Sequence, residues 1–243
     1  MEYTISARSK PPAVPIQKFI KENFADIPME QIDSFFGFTE YSSLYGGRFF
    51  TSHELSRYDI RSMYKLNINY RIPLTNHYAT ADEYEDNRAF LEKYYRPGNS
   101  VIITNDDLAK WIRRDFPEYR IEASVIKNID NLRKVEKAFE LYDTVILPMS
   151  ANEDEELLLS MPEKNRITLF ANGGCALTCP SKICYRGMSK ANKNGDKSFL
   201  CCSQGLKERE MLGMIDFDLN YLQDLGFQRF KLLRSRPNSM TGF

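Results

Sequence analysis

The chain has 243 residues, of which 42% are apolar, and its 33 basic residues balance its 33 acidic ones. This length suits one large domain or two small ones, and the balanced charge argues against a protein that binds nucleic acid or membranes with its whole surface. No apolar stretch approaches the roughly 18 residues that span a bilayer, and the N-terminus lacks the apolar core of a signal peptide. We therefore expect a cytoplasmic protein with no membrane contact.

Residues 1–30 are predicted to form an N-terminal arm, because the prolines between residues 8 and 15 lack the amide donor of a regular helix or central strand. Beyond the arm, strand and helix patterns alternate. Strands are predicted at 67–74, 100–104, 120–126, 144–147, 166–170 and 230–233, after an apolar and aromatic run at 32–38. Helices are predicted at 84–95, 106–116, 130–141, 153–159 and 217–225.

This alternation predicts an α/β fold with a parallel sheet covered by helices. About seven strands in a chain of this length favour a closed barrel over an open sheet. A G-x-G-x-x-G sequence does not follow the first strand, which argues against a dinucleotide-binding fold. We expect residues 31–243 to form a single (β/α) TIM-like barrel, complete or somewhat distorted.

All five cysteines lie in one stretch of 28 residues, from 175 to 202, inside a predicted Cys-rich loop at 172–205. Thiolates are soft ligands that suit zinc, copper(I) and iron–sulfur clusters. In a reducing compartment such a cluster indicates a metal site or a catalytic site rather than a disulfide framework. The five residues are Cys175, Cys179, Cys184, Cys201 and Cys202.

The cysteine spacing narrows the kind of metal site. It lacks the C-x2-C pair of a zinc ribbon and the C-x3-C-x2-C run of a radical-SAM cluster. Two adjacent cysteines ligate one metal poorly, so we expect either Cys201 or Cys202 to bind, and we choose Cys201 beside Cys175, Cys179 and Cys184. Four thiolates suit a [4Fe–4S] cluster and a four-cysteine zinc site equally well on ligand count.

In a β/α barrel the active site lies at the carboxyl ends of the strands. The cysteine run begins directly after a predicted strand, where such a site would lie. Two cations on the last strand are placed to meet a carboxylate or phosphate. The polar residues that we expect to line the pocket are Asn76, His77, Ser124, Asn172, Lys231 and Arg234.

The loop between the cysteines is basic and predicts an anionic partner near the metal, either an RNA backbone or a small carboxylate substrate. A solvated loop is the alternative, and a protein partner is a further one. Residues 192–195 are expected to be flexible and to order on binding. The basic residues are Lys182, Arg186, Lys190, Lys193 and Lys197, against the single acid Asp196.

Several segments, in this order, resemble the peptidase U32 family. Gly47-Arg48 and the closing segment 227–234 are similar to further markers of that family. The main segments are Arg-Ile-Glu-Ala-Ser-Val-Ile at 120–126, Thr-Val-Ile-Leu-Pro at 144–148, Asn-Glu-Asp-Glu-Glu at 152–156, Ile-Thr-Leu-Phe-Ala-Asn-Gly-Gly-Cys at 167–175, and Cys-Pro at 179–180.

The resemblance implies a β/α-barrel catalytic domain with a [4Fe–4S] cluster on Cys175, Cys179, Cys184 and either Cys201 or Cys202. It also implies oxygen-independent hydroxylation, which in the family acts on RNA bases and ubiquinone precursors, with prephenate as an implicated oxygen-atom source. The chain differs from the family pattern in two respects. Its first cysteines are more closely spaced, and Ala171-Asn172 stand where a histidine often precedes the first cysteine.

The sequence therefore predicts an iron–sulfur enzyme that modifies a nucleobase or small aromatic substrate by hydroxylation. One alternative is an accessory or scaffold protein with a structural four-cysteine zinc site. The other is a metal-dependent hydrolase or peptidase, in which the metal would activate a water molecule.

Overall fold

The computed structural model describes residues 1–179, 181–203 and 215–233. Eight parallel strands form a closed barrel in the order β1-β10-β7-β6-β5-β4-β3-β2, which confirms the predicted TIM-like fold. A short antiparallel pair, β8 and β9, lies outside the barrel. The strands are β1 (Glu2–Ser6), β2 (Ile32–Phe36), β3 (Asn69–Ile72), β4 (Ser100–Ile103), β5 (Arg120–Ala123), β6 (Thr144–Ile146), β7 (Ile167–Phe170), β8 (Asn172–Gly173), β9 (Ile215–Asp216) and β10 (Arg229–Leu232).

Helices follow most of the strands and cover the outside of the barrel. Among the described residues, no helix combines the length and the apolar composition that a membrane span requires. The helices are α1 (Ile16–Asn23), α2 (Arg57–Lys65), α3 (Ala81–Asp86), α4 (Arg88–Lys93), α5 (Asp106–Asp115), α6 (Leu132–Phe139), α7 (Glu155–Ser160), α8 (Cys175–Thr178), α9 (Cys184–Asn194) and α10 (Leu219–Asp224).

Short polar side chains determine where several helices begin. Ser56 accepts a hydrogen bond from the backbone N–H of Asp59, whose carboxylate accepts one from the backbone of Ser56, so α2 starts with a capping box. Asn105 accepts hydrogen bonds from the backbone N–H groups of Asp107 and Leu108, so α5 begins at its predicted first residue. The predicted helix at 84–95 is broken at Asn87 into α3 and α4.

The prediction of an arm at residues 1–30 is wrong. β1 pairs with β10 on one side and with β2 on the other, so it closes the barrel. The sequence of β1 does not look like a buried strand, because Thr4, which faces the barrel interior, is polar. The Thr4 hydroxyl lies 3.1 Å from the hydroxyl of Ser34. The prolines connect β1 to α1 and interrupt neither element.

The barrel interior contains a charged layer, which we define as Asp33, Arg71 and Glu122. Nη1 of Arg71 donates to Glu122 at 2.6 Å, and its Nη2 donates to Asp33 at 2.8 Å. Neighbouring hydroxyls complete the layer, since Thr144 and Thr168 each donate to the Glu122 carboxylate at 3.3 Å. Each charge of the layer therefore has an opposite charge and at least one hydrogen bond, while Oε1 of Glu122 has no hydrogen-bond partner among the described residues.

An apolar layer lies above the charged layer, toward the carboxyl ends of the strands. Side chains two residues apart on a strand share a face, so an inward polar residue is followed by an inward apolar one. Ser34 is followed in this way by Phe36, and Thr168 by Phe170. The apolar layer consists of Phe36, Ile102, Ile146 and Phe170, with Met149 packed on it.

Candidate active site

A cavity of about 180 Å³ lies at the carboxyl end of the barrel. Every barrel strand contributes to its wall, either from its last residues or from the loop that follows. This is the position of the active site in β/α barrels. The contributing residues, in chain order, are Ser6, Phe36, Pro73, Ile102, Ser124, Met149, Phe170 and Leu233.

The cavity wall is mainly apolar and aromatic, with the three cationic residues Arg8, Arg48 and Lys231. Both terminal nitrogens of Arg48 bind the Glu54 carboxylate, one of them at 2.7 Å, and the guanidinium lies 4.6 Å from the ring centroid of Phe38. The charge of Arg48 is therefore matched. An apolar pocket with a few polar groups is typical of a site for a small molecule.

Lys231, one of the residues that the sequence placed at the pocket, is the buried cation of this cavity. It is the third residue of β10, is 5% exposed, and places Nζ 4.3 Å from the ring centroid of Phe36. Burial lowers the pKa of Lys231 to about 8; the charge of Glu122 opposes this shift and that of Arg71 adds to it. Among the described residues, no ion pair or hydrogen bond is formed by its ammonium group.

Two cysteines line the cavity because the helices that carry them begin there. Cys175 is the first residue of α8 and Cys184 the first residue of α9. Burial, followed by the charges of Cys179, Cys202 and Cys175, raises the pKa of Cys184 to about 12. These four thiols, which we call the thiol group, therefore lie close enough together for the charge on one to influence the next.

Cys201 is not among the cysteines whose charges most strongly raise the pKa of Cys184. It is exposed, and its sulfur lies 3.9 Å from the carbonyl oxygen of Ile183 and only 2.9 Å from where a Cβ on Gly187 would stand. Its side chain thus packs against the backbone of α9. The fourth member of the thiol group is therefore Cys202, and the choice of Cys201 as a metal ligand stays a prediction.

The thiol group has the right chemistry for a metal but not a closed ligand set. Burial opposes ionisation of Cys179, but hydrogen bonds from the hydroxyl of Ser203 and the backbone N–H of Lys182 lower its pKa overall. Thiolates are the form that binds metal. Within the described part of the chain, no three His, Cys, Asp or Glu side chains are close enough to hold a metal ion as they stand.

Asn76 and His77 lie beside the cavity rather than in its wall, so their predicted contact with substrate is not supported. Nδ2 of Asn76 donates to the carbonyl oxygens of Ser43, Tyr45 and Ser189, at 2.7, 3.1 and 3.0 Å. The backbone N–H of His77 donates to the Ser189 hydroxyl at 3.2 Å. Burial, with the charges of Arg186 and Lys127, lowers the pKa of His77. Both residues therefore tie α9 to the end of β3.

Asn192 is a second anchor of α9 that the sequence did not reveal. Its Nδ2 donates to the carbonyl oxygens of Tyr45 and Arg48 at 3.0 and 2.7 Å, and its Oδ1 accepts from the N–H of Phe50 at 2.8 Å. The side chain is buried at the end of a helix, so the flexibility expected at 192–195 is wrong at this residue. Together with Asn76, it fixes the helix that carries Cys184.

The remaining predicted site residues have different surroundings. Ser124 lines the cavity, and its hydroxyl accepts from the N–H of Ile126 at 3.2 Å, which shapes the turn after β5. Asn172 is buried outside the cavity wall, and its Oδ1 accepts from the N–H of Leu233 at 2.9 Å. Arg234 lies outside the described residues.

Part of the basic loop is used in internal contacts. Lys182 donates to the side chain of Asn128 at 2.9 Å, and Lys193 pairs with Glu83 at 3.0 Å. Arg186 and Lys190 are exposed on α9, where an anionic partner could reach them. Arg8 was missed as a cavity residue because the Pro-rich segment that contains it had been assigned to an arm.

These features define a β/α barrel with a small apolar cavity and a thiol group at its carboxyl face. The fold is similar to that of the U32 peptidase Mk0906, with a TM-score of 0.64 over 98% of this chain and 94% of that chain, at 11% sequence identity. The fold that the sequence resemblance implied is therefore confirmed. No family model and no curated protein sequence matches the chain.

Proposed function

We propose that the protein is a U32-like enzyme that binds a small aromatic substrate in the barrel-end cavity and modifies it, most simply by hydroxylation. We propose further that Cys175, Cys179, Cys184 and Cys202 hold a [4Fe–4S] cluster. The observation that carries the proposal is that two of the four neighbouring thiols line the same cavity as Lys231. A redox group on these thiols would be next to a bound substrate.

An iron–sulfur cluster on these thiols would supply one-electron chemistry to the reaction. The chain itself supports the other requirements of the site. The asparagine anchors hold α9, and thus Cys184, in a fixed position at the cavity. Burial and, after it, mutual repulsion make four neighbouring thiolates costly without a cation, as the raised pKa of Cys184 indicates. Cysteine sulfurs are the ligands that an iron–sulfur cluster needs. The four cysteine side chains would have to move closer together to bind one cluster.

The cavity favours a small substrate over a large one. Its volume of about 180 Å³ is below the roughly 300–1,000 Å³ of sites for drug-sized ligands. The aromatic walls, Phe36 and Phe170 among them, suit a single ring, and Arg8 and Lys231 suit a carboxylate on that ring. A base of RNA is the alternative substrate; it would have to be flipped out of its stack, with the exposed basic residues of α9 meeting the backbone.

Anaerobic purification followed by iron, sulfide and zinc analysis and a visible spectrum tests the cofactor. We expect iron and sulfide in equal amounts and the brown absorbance of a cluster. Zinc without iron would contradict the proposal and would favour the structural or hydrolytic alternatives. Modified nucleosides and small aromatic acids, compared between wild-type and deletion strains, then distinguish the two substrate classes.

The adjacent cysteines provide a matched pair of variants. Cys202→Ser should lose most of the iron, because its thiol is one of the strongest electrostatic neighbours of Cys184. Cys201→Ser should keep the iron, because that thiol packs on the backbone of α9 instead. The reverse pattern in the metal analysis would show that Cys201 is the ligand.

A further inference from the structure

Lys231 has surroundings that a residue used only to bind a carboxylate does not need. Its ammonium lies in the apolar layer, over the face of Phe36, and is buried in the floor of the cavity. Lys231 also lines the cavity, so a ligand bound there would contact its side chain. A lysine that is desolvated in this way loses its proton easily and becomes a nucleophile.

Burial is the main cause that disfavours the ammonium form of Lys231, since the nearby charges act in opposite directions. On β3, Arg71 is a like charge, while on β5 Glu122 is an opposite charge that is already bound by Arg71. Arg229 on β10 is a further cation of the barrel interior, and its own pKa is lowered by burial and by Arg71. None of the described carboxylates forms an ion pair with Lys231.

The pKa of about 8 agrees with this description. At pH 8 roughly half of Lys231 would be the free amine, on the order of a hundredfold more than for a lysine with the ordinary pKa. Another cation of the wall, Arg8, belongs to the loop after β1, above the strand ends, and its guanidinium suits a carboxylate. The amine of Lys231 and the guanidinium of Arg8 thus belong to side chains that line one cavity.

We propose that Lys231 is a nucleophilic amine that forms an imine with the carbonyl carbon of a small aromatic oxo acid. The inference relies on the proposed function for the location of the substrate, but not on the thiol group or its metal. The amine nitrogen bonds to the carbonyl carbon, and the carbonyl oxygen leaves as water. The ammonium proton goes to solvent, and the step needs no oxidant or reductant.

Reductive trapping tests this imine. The purified protein is incubated with phenylpyruvate and sodium cyanoborohydride, and the adduct is located by peptide mass mapping. We expect one adduct per chain, on Lys231, with the mass of phenylpyruvic acid less one oxygen atom. The yield should increase as the pH rises toward 8. Phenyllactate, which has a hydroxyl in place of the carbonyl, should bind the cavity and give no adduct.

Two variants control the test. Lys231→Arg keeps the charge and should abolish the adduct, while circular dichroism checks that the fold remains. Lys164→Arg is the matched control, because Lys164 also lies over a phenylalanine ring, at 5.2 Å from the centroid of Phe227, but outside the cavity wall. This control should give the wild-type adduct in full.

The outcomes separate this inference from the proposed function. If both acids bind in competition with each other and no adduct forms on Lys231, the imine is disproved and the substrate class stands. If Lys231→Arg still gives the adduct, the imine is disproved as well. If neither acid binds, both the imine and the aromatic-acid substrate are disproved.

Discussion

Two layers of one barrel interior, a few residues apart along each strand, contain buried charge in different arrangements. In the charged layer, Arg71 is bonded to Glu122 and to Asp33. In the apolar layer, Lys231 lies over the ring of Phe36 and lines the cavity, and among the described residues it forms no ion pair. The difference indicates that the first set of charges stabilises the barrel and that the second charge is kept for a ligand.

The largest change in stability is expected when the paired charges of the charged layer are broken. Glu122→Ala removes the acid that accepts from Arg71, Thr144 and Thr168, and it leaves a buried guanidinium without its main partner. We expect the free energy of unfolding to fall by about 3–5 kcal/mol, as measured by urea denaturation. A loss below about 1 kcal/mol would mean that the charged layer does not stabilise the barrel.

A smaller effect is expected for the anchor of α9. Asn192→Ala leaves two backbone carbonyl oxygens and the N–H of Phe50 without their partner, which should cost about 1–3 kcal/mol in the same measurement. Asn194→Ala, at the exposed end of the same helix, is the control and should change stability by less than about 0.5 kcal/mol. Equal losses for the two variants would refute the anchoring role.

Removal of the unpaired charge of Lys231 should increase the free energy of unfolding rather than decrease it. Lys231→Met replaces a desolvated ammonium with an apolar side chain of similar length, so we expect the free energy of unfolding to rise by about 1–2 kcal/mol. Binding of a small aromatic carboxylate, followed by calorimetry, should be lost in the same variant. A clear loss of stability would show that Lys231 has a structural partner after all.

The smallest effect is a dependence on pH. The pKa of Lys231 is about 8 in the folded protein and higher in the unfolded chain, so the unfolded chain holds more protons between pH 8 and the ordinary lysine pKa. Stability must then increase with pH across that window. We expect wild type to gain on the order of 1 kcal/mol relative to Lys231→Met between pH 8 and pH 9. Parallel curves for the two proteins would contradict a lowered pKa.

The alternation of strands and helices was predictable from the sequence, but the role of β1 in closing the barrel was not. Short β-branched runs between amphipathic helices indicate a parallel barrel, because each strand must be buried on both sides. β1 escaped notice because it faces the charged layer through Thr4, so its pattern lacks a continuous apolar run. Helix α9 was also missed, since its cysteine, glycine and asparagine residues are weak helix formers.

The site was predictable to the level of the strand ends but not of single side chains. The strand-end rule selected Lys231 and Ser124, which line the cavity, and also Asn76 and His77, which do not. The direction of a side chain after a strand depends on the loop conformation, which the strand pattern does not specify. Our proposal of Cys202 rather than Cys201 likewise rests on the packing of Cys201 against α9, a tertiary contact that the cysteine spacing does not encode.

The pairing of β1 with β10 has a consequence for how the protein is made. Glu2 pairs with Arg229, so β1, the earliest barrel strand in the sequence, must wait for β10, the latest barrel strand, before the barrel can close. Lys231 is on that late strand, two residues beyond the pairing partner. During synthesis Lys231 is therefore added with the strand that closes the barrel, and a chain that ends before β10 has the thiols without this lysine.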